Sequence, residues 1–444
     1  MRVCIGGGGL AGLSLAYFLR GLSNVVLVEA NSRVGGLLRS EAVNNFIFDT
    51  GGAHIIFSRD RDVLNFIVET IGGVVKHRRD ARIFYNGRFI KYPFENGIYM
   101  LDPEERFEIL LDFVNNLLRR ERGELKKPEN LEEWFYYVFG KAISRKYLIP
   151  YNLKIWKKSL KKISAEWVND RVPNPPISDI LKGAVGIPTE GYLHQLEFYY
   201  PEDGGIEVLA KSLLEKISGK VAVAAGMRVE SIKIGRGEIT VRTNSKSIKC
   251  DIFINTIPLP ELIKAINNAP EHILKLTKKL KYNSLIVVGA GLKNSFKPYH
   301  WIYFPQRKVT FHRVAAISNL TSKPGEHASI VFETSTPPNS KLWRLNNNEI
   351  IEKILGEAEK LELLKREDVE IAKIWRWNYA YIIYNNEYSK VLSEILNYLS
   401  EISLHTTGRF GLWKYLNMDQ VILESKKLAS KILKQPSIKS PYLF

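Results

Sequence analysis

Cysteine is almost missing: Cys4 and Cys250 are the only two in 444 residues. Both fall in apolar, strand-like runs. That excludes a disulfide framework and a cysteine-based zinc site, and two buried thiols are expected. Long apolar runs are missing too. None approaches the roughly 18 to 20 residues that a membrane-spanning helix needs. The start, MRVCIGGGGLAG, enters a strand and a turn directly, without the apolar core and cleavage site of a secretory signal. A reducing, cytoplasmic setting with no stable membrane insertion is the expectation. Acidic charge is in short supply: 47 Asp and Glu face 64 Lys and Arg, for a net charge of +17. Such an excess attracts anions in general. The basic stretches LRRERGELKK and KIWKKSLKKI are spread through helix-like apolar positions, and no nucleic-acid recognition motif accompanies them. They read as lysine-rich surface, and nucleic acid is not an expected partner.

A chain of this length exceeds one ordinary core, so two or three lobes are expected. The strongest local signal is VCIGGGGLAGLSLAYFL. Arg2 to Gly6 reads as a buried strand, Gly7, Gly9 and Gly12 fit G-x-G-x-x-G, and a helix follows. The first glycine makes the tight turn, and the second admits a pyrophosphate to the backbone N–H groups. The third lets helix pack on strand, with the helix N-terminus aimed at the phosphates. Leu10 and Ala11 lie inside this turn. A second strand, NVVLVEA, ends in Glu29, spaced to accept from the ribose hydroxyls of an adenosine.

NAD and FAD sites share this fingerprint, and the residues after Glu29 separate them. EANSRVGG resembles the flavoprotein pattern E-A-x-x-x-x-G-G of amine oxidases, protoporphyrinogen oxidases and their relatives. The resemblance implies FAD. It puts Glu29 and Ala30 at the adenosine, and Arg33, Gly35, Gly36 and Leu37 along the diphosphate toward the flavin. GMRVESIKI resembles the strand whose backbone, at Val229, meets adenine. CDIFINTIPLPEL resembles the family's D-x-x-I-x-T-x-P strand, which brings in Thr256. Near the end, GRFGLWKYLNMDQ supplies Gly408, Arg409, Asp419 and Gln420, the last two at the start of a helix that faces the flavin in such proteins. FDTGGAHIIFS breaks an apolar run with Gly51, Gly52 and His54. Glycines there admit a close neighbour, and the resemblance makes that neighbour the flavin ring, with His54 near its face or N5.

Six further blocks, in order along nearly the whole chain, resemble UDP-galactopyranose mutases of the eukaryotic type. They are DTGGAHIIFS, GRFIKYPFENGIYML, the stretch from PYNLKIW to NDRVPNPP, FYYPEDGG, HWIYFPQRKVTFHRVAAISNLT and GRFGLWKY. The family patterns are D-x-G-G-H-V-I-F-S, Y-P-F-Q-N-N, P-Y-N-x-K-V-W with a later R-V, F-P-A-x-G-G, Y-F-P followed by F-Y-R, and G-R-F-G-S-W-R-Y. The resemblance implies a flavin-dependent interconversion of UDP-galactopyranose and UDP-galactofuranose through an adduct between reduced-flavin N5 and sugar C1. Arg171 and Arg313 match arginines near the diphosphate and sugar, and with His54 they are the catalytic candidates. Tyr303, Tyr381 and Tyr415 match phenols at the diphosphate. Tyr92, Phe94, Glu95, Asn152 and Trp156 match the uridine side, and Gln195 falls where the family has an asparagine near the sugar. Glu95 departs from the family glutamine: a carboxylate accepts from uracil N3–H but donates nothing to a carbonyl.

The implied fold is α/β: a Rossmann-type FAD-binding domain interleaved with a helical domain and an antiparallel β-sheet domain. The FAD-binding domain takes residues 1–75, 205–260 and 401–434. The sheet domain takes 76–100, 186–204 and 261–400. The helical domain is 101–185, where DPEERFEILLDFVNNLLRR has helical apolar spacing after an Asp-Pro start. Residues 435–444 form an exposed tail. The partner is a UDP-sugar, and an external electron donor such as NAD(P)H and an oligomeric assembly stay open. The competing enzyme class is an FAD oxidase or desaturase of the amine oxidase or protoporphyrinogen oxidase type, which would lack a sugar-diphosphate clamp. A flavin-binding protein without catalysis is the third reading.

Overall fold

The computed structural model describes residues 1–168, 174–191, 196–322, 325 and 327–434. Its first sheet has five parallel strands. Their order is His405–Thr406, Ile252–Asn255, Arg2–Gly6, Asn24–Glu29 and Ala222–Ala225. Parallel strands covered on both faces are apolar almost throughout, which is why VCIG and FIN carry no alternation. The helix Leu10–Phe18 is buried from Leu10 to Ala16. It is apolar all round because it lies under the sheet and against the helices Glu207–Ile217 and Met418–Leu433. The adjoining strands Val229–Ile234, Ile239–Thr243 and Ser247–Cys250 form a small antiparallel sheet. Cys4 and Cys250 are free, buried thiols, as expected.

The second sheet has seven strands. In order they are Val369–Ile383, Lys281–Leu292, Ala328–Thr336, Arg313–Ala316, Trp301–Tyr303, Ala81–Tyr85 and Arg88–Lys91. Its pairings are antiparallel, with one exception: Trp301–Tyr303 runs parallel to Ala81–Tyr85. Those two strands come from distant parts of the chain, so no hairpin dictates their direction. The ribbon Ser40–Val43 with Phe46–Asp49 docks on this sheet. Phe48 packs against Trp375, with ring centroids 5.6 Å apart, and Ile47 N–H donates to Ser329 Oγ at 3.1 Å. That docking carries the segment after Asp49 to the boundary between the two sheets. Glu197–Pro201 does not join the seven-stranded sheet. It pairs with Val74–Arg78 in a separate two-stranded ribbon.

Beside the seven-stranded sheet lies a helical layer: Pro103–Glu121, Leu131–Ile143, Ile149–Trp156 and Ile177–Ala184. Asn130 caps the second of these by accepting from Glu133 N–H at 3.0 Å. A π turn at Ser144–Leu148 joins it to Ile149–Trp156. The C-terminal carbonyls of the latter are met from the seven-stranded sheet, where Asn283 Nδ2 donates to Ile155 O and Trp156 O at 2.9 and 2.8 Å. Among the described residues, no helix is long and apolar enough to cross a membrane.

Candidate active site

The first wall of the site is the glycine turn. A Cβ on Gly12 would sit 1.8 Å from the carbonyl oxygen of Gly7, so only glycine lets the helix start this close to the strand. Thr256 Oγ1 lies 2.9 Å from both the Gly6 and the Gly7 carbonyl oxygens and fastens the next strand to the turn. Gly35 N–H donates to Gly8 O at 2.8 Å and Gly9 pairs with Gly35, so the two glycine segments run side by side. Gly9, Leu10, Ala11, Gly35, Gly36, Leu37 and Thr256 line a cavity of about 340 Å³. Glu29 ends its strand beside the turn, accepting from Gly8 N–H and Asn31 N–H, both at 2.8 Å. Oε1 also accepts from Asn31 Nδ2 at 2.6 Å, so Oε2, bonded by Gly8 N–H, is the oxygen that keeps a lone pair for a ligand hydroxyl. Met227 N–H donates to Glu29 O at 2.8 Å, which brings the strand starting at Val229 to this end. Ala30 and Val229 lie off the cavity. Arg33 is engaged elsewhere, in an ion pair with Glu207.

The second wall is the segment after Asp49. A Cβ on Gly51 would sit 2.2 Å from Leu37 O, and one on Gly52 would meet the Glu333 carboxylate at 2.8 Å. The neighbours these glycines admit are therefore protein groups in the first place. Glu333 is buried and holds Arg313 by two bonds, from Nε and from Nη2, each 2.8 Å long. It also accepts from Ala53 N–H at 3.2 Å. The pair ties the seven-stranded sheet to the loop that carries His54. His54 Nδ1 lies 2.7 Å from Gly52 O and donates to it, so in the neutral ring Nε2 is a free acceptor. Burial, opposed by that bond and helped by the charges of Arg313 and Arg409, pushes its pKa down to about 4. Gly51, His54, Arg313 and Glu333 all line the cavity.

Phenols and a second arginine complete the enclosure. Tyr303, Tyr381, Tyr415 and Arg409 line the same cavity. Trp301 Nε1 donates to the Tyr303 hydroxyl at 2.8 Å. The Tyr381 and Tyr415 rings lie nearly parallel, 6.3 Å apart, and Arg409 stacks on Tyr415 at 3.9 Å. Arg409 donates to Leu416 O and Ala380 O, while its Nε is buried with no acceptor among the described residues. Gly408 sits against Ala11, where a Cβ would meet the alanine at 2.4 Å, which draws this segment onto the first helix. The helix Met418–Leu433 does present its N-terminus, but through Asn417, Met418 and Val421. Asp419 and Gln420 are not on the wall. Asp419 accepts from Ser58 Oγ at 2.8 Å, and Gln420 closes its own helix in a capping box with Asn417.

The uridine-side candidates are not on the cavity wall. Tyr92 lies next to it, with its ring 4.5 Å from that of Tyr303. Phe94 is fully buried and stacks on Tyr147 at 5.3 Å. Asn152 is buried and satisfied within its own helix: Nδ2 donates to Leu148 O, and Oδ1 accepts from Trp156 Nε1. Trp156 and Glu95 are buried as well. Arg171 and Gln195 lie outside the described residues. The sequence reading passed over Glu333, and over Arg79, which lines the cavity with its guanidinium 5.1 Å from the Trp301 ring. Glu333 had a signal: it is the one charge within ASIVFETST, and a buried carboxylate must be paired.

The site therefore joins a glycine slot at a helix N-terminus, suited to a dinucleotide diphosphate, to a chamber walled by three guanidiniums, the Glu333 carboxylate, three phenols and a neutral imidazole. The orphaned Arg409 Nε fits a ligand that brings its own acceptor. In fold, the chain is similar to a reduced UDP-galactopyranose mutase, with a TM-score of 0.87 and 27% identity over 97% of this chain and 93% of that one. It is similar in fold to a putative protoporphyrinogen oxidase from an Exiguobacterium species, with a TM-score of 0.76 and 19% identity over 98% of this chain and 99% of that one. In sequence, it is 29% identical over 159 residues to protoporphyrinogen oxidase 2 of Arabidopsis thaliana, 32% of this chain and 30% of the plant protein. The chain thus spans less than a third of the length of the curated relative it matches. Residues 10–385 match the family described as flavin containing amine oxidoreductase. A flavin is the cofactor this description implies, and over that span the chain belongs to the flavin-containing amine oxidoreductase family.

Proposed function

We propose that the chain is a mutase that interconverts UDP-galactopyranose and UDP-galactofuranose, or a related nucleotide-sugar pair, with reduced FAD. The observation that carries the reading is that Arg313, Tyr303, Tyr381 and Tyr415 share one cavity with the glycine slot and His54. Oxidation of an apolar substrate has no use for such a set. A departing diphosphate needs fixed cations and O–H donors. The likeness in fold to a UDP-galactopyranose mutase over nearly the whole chain supports the same reading.

When bound, reduced FAD supplies the nucleophilic electron pair for the anomeric carbon. The chain's residues do the rest. Gly7, Gly9 and Gly12 form the turn that aims the N-terminus of the helix Leu10–Phe18 at the FAD diphosphate, with Glu29 at its adenosine. Glu333 holds the Arg313 guanidinium in one orientation, and Arg313 attracts the substrate diphosphate. The phenols donate to its oxygens as negative charge builds on the leaving UDP. His54 is neutral at physiological pH and accepts a hydrogen bond at Nε2 without adding charge to the chamber. Tyr92, stacked near Tyr303, begins the uridine side. Phe94, Glu95, Asn152 and Trp156 back it from the core, and the resemblance alone assigns Arg171 and Gln195 to the sugar.

The test is an anaerobic assay on flavin-loaded protein reduced with dithionite. UDP-galactofuranose is added and UDP-galactopyranose is followed by chromatography. Conversion that requires the reduced flavin is the expected result. No conversion, with oxygen uptake on a porphyrinogen, favours the second reading: an oxidase, which the local match to the plant enzyme supports. Arg313→Ala should lose turnover and keep its flavin.

A further inference from the structure

Tyr381 lines the cavity, and its hydroxyl lies 3.3 Å from Nε2 of His312. His312 itself is buried behind the wall. Its backbone is fixed at both ends, with N–H donating to Glu333 O at 2.9 Å and O accepting from Phe304 N–H at 3.0 Å. The ring is clamped as well. Its Nδ1 lies 3.3 Å from the backbone N–H of Ser335. A backbone N–H can only donate, so Nδ1 must present its lone pair, and the proton of the neutral ring must sit on Nε2. The ring stays neutral because burial and the neighbouring charge of Arg313 oppose a further proton. Nε2–H therefore donates to the Tyr381 oxygen. A phenol that receives a hydrogen bond from its neighbour cannot return its own proton along the same line. That proton is left for the cavity.

We infer that His312 is a positioning residue that sets Tyr381 as an obligatory hydrogen-bond donor toward an anionic oxygen of the ligand. For the identity of that ligand, a UDP-sugar whose diphosphate receives the proton, the inference rests on the reading above. Where FHRVAAISN has His312, the F-Y-R pattern it resembles has a tyrosine. A second phenol in that place could act as donor or acceptor, whereas an imidazole with its Nδ1 occupied acts one way only.

Two measurements test this. The first needs no variant and no ligand. Nitrogen-15 spectra of labelled histidine in the flavin-loaded protein should show His312 as the Nε2–H tautomer at neutral pH. An Nδ1–H tautomer or an imidazolium overturns the inference. The second is a double-mutant cycle, read by titrating UDP into flavin-loaded parent, His312→Phe, Tyr381→Phe and the double variant. His312→Phe should weaken UDP binding about ten-fold in the parent background and leave it unchanged in the Tyr381→Phe background. Equal weakening in both backgrounds would mean that His312 acts by packing alone and would refute its action through Tyr381. If the parent does not bind UDP, the nucleotide-sugar reading falls, and the positioning role is then decided by the tautomer alone.

Discussion

Glu333→Gln should move stability and ligand affinity in opposite directions. In the resting protein the Glu333 carboxylate is buried and bonds Arg313 twice, at 2.8 Å each, and the Ala53 N–H once, at 3.2 Å. Glutamine keeps one acceptor oxygen but turns an amide N–H₂ toward the guanidinium. Removing one partner of a buried pair costs roughly 3 to 5 kcal/mol, and the retained oxygen puts this change near the lower end, about 3 kcal/mol. The same charge stands behind the guanidinium as seen by an anionic ligand. Taking roughly 7 Å across the guanidinium and an effective dielectric of about 20, the carboxylate opposes each phosphate charge by about 2 kcal/mol. With part of that screened by solvent in the open cavity, UDP should bind the variant about ten-fold more tightly. Thermal unfolding with and without UDP reads both effects. The variant should melt lower than the parent when free and regain more of the difference on adding UDP. A variant that melts lower and also binds UDP more weakly would refute this balance, because it would mean that the hold of Glu333 on Arg313 helps an anion more than its charge opposes one.

Three further substitutions probe other parts of the argument. Gly12→Ala places a methyl 1.8 Å from Gly7 O, a clash with backbone that no rotamer relieves; protein from this variant should carry no flavin absorbance, and a normal flavin content would refute the slot. Asp49 is buried, and its pKa is raised from 3.8 to about 6 by desolvation, against the hydrogen bonds from Ser40, Tyr200 and Ile206. Its contribution to stability is therefore full below the unfolded value and is lost as pH rises through 6. Asp49→Asn should flatten the unfolding midpoint between pH 4 and 6.5, and an unchanged slope would count against it. Burial likewise lowers Lys154 from 10.5 to about 6, with its amine donating to Phe311 O. A lowered amine contributes most above its unfolded value and costs stability as pH falls toward the folded one. Lys154→Met should thus raise stability by about 2 kcal/mol at neutral pH, after allowing for the stranded carbonyl, and the gain should vanish toward pH 10 in denaturant melts.

What could be read in the sequence was what short spacing determines. The glycine turn, Glu29 and the Gly35–Gly36 pair depend on residues within a few positions of one another, and strand, turn and helix follow from local sterics. Pairings across the seven-stranded sheet depend on register between distant segments. Arg313 stands opposite Glu333 because Arg313–Ala316 pairs antiparallel with Ala328–Thr336, and nothing near either residue announces the other. The helix start at Met418 illustrates a one-residue limit: Asp419 and Gln420 carry the polar chemistry in the sequence, but the helical phase turns Asn417, Met418 and Val421 to the cavity. Phe94, Asn152 and Trp156 resembled contact residues by motif. Motif alone cannot tell a side chain that touches a ligand from one that packs behind it, and in this fold all three are buried.

The order of strands in the parallel sheet has a consequence for synthesis. The sheet gathers residues 2–6, 24–29, 222–225, 252–255 and 405–406, and the cavity's last wall comes from Arg409 to Val421. The ribosome releases the glycine slot first and its closing wall some 400 residues later. Until that wall emerges, the nascent chain holds part of a cofactor site with its apolar first helix only partly covered, by Glu207–Ile217. A closed flavin site then requires a chain that extends through the start of the Met418–Leu433 helix. A product cut short before that helix would lack the closing wall, so cofactor content reports on whether the chain reached Val421 as much as on whether it folded.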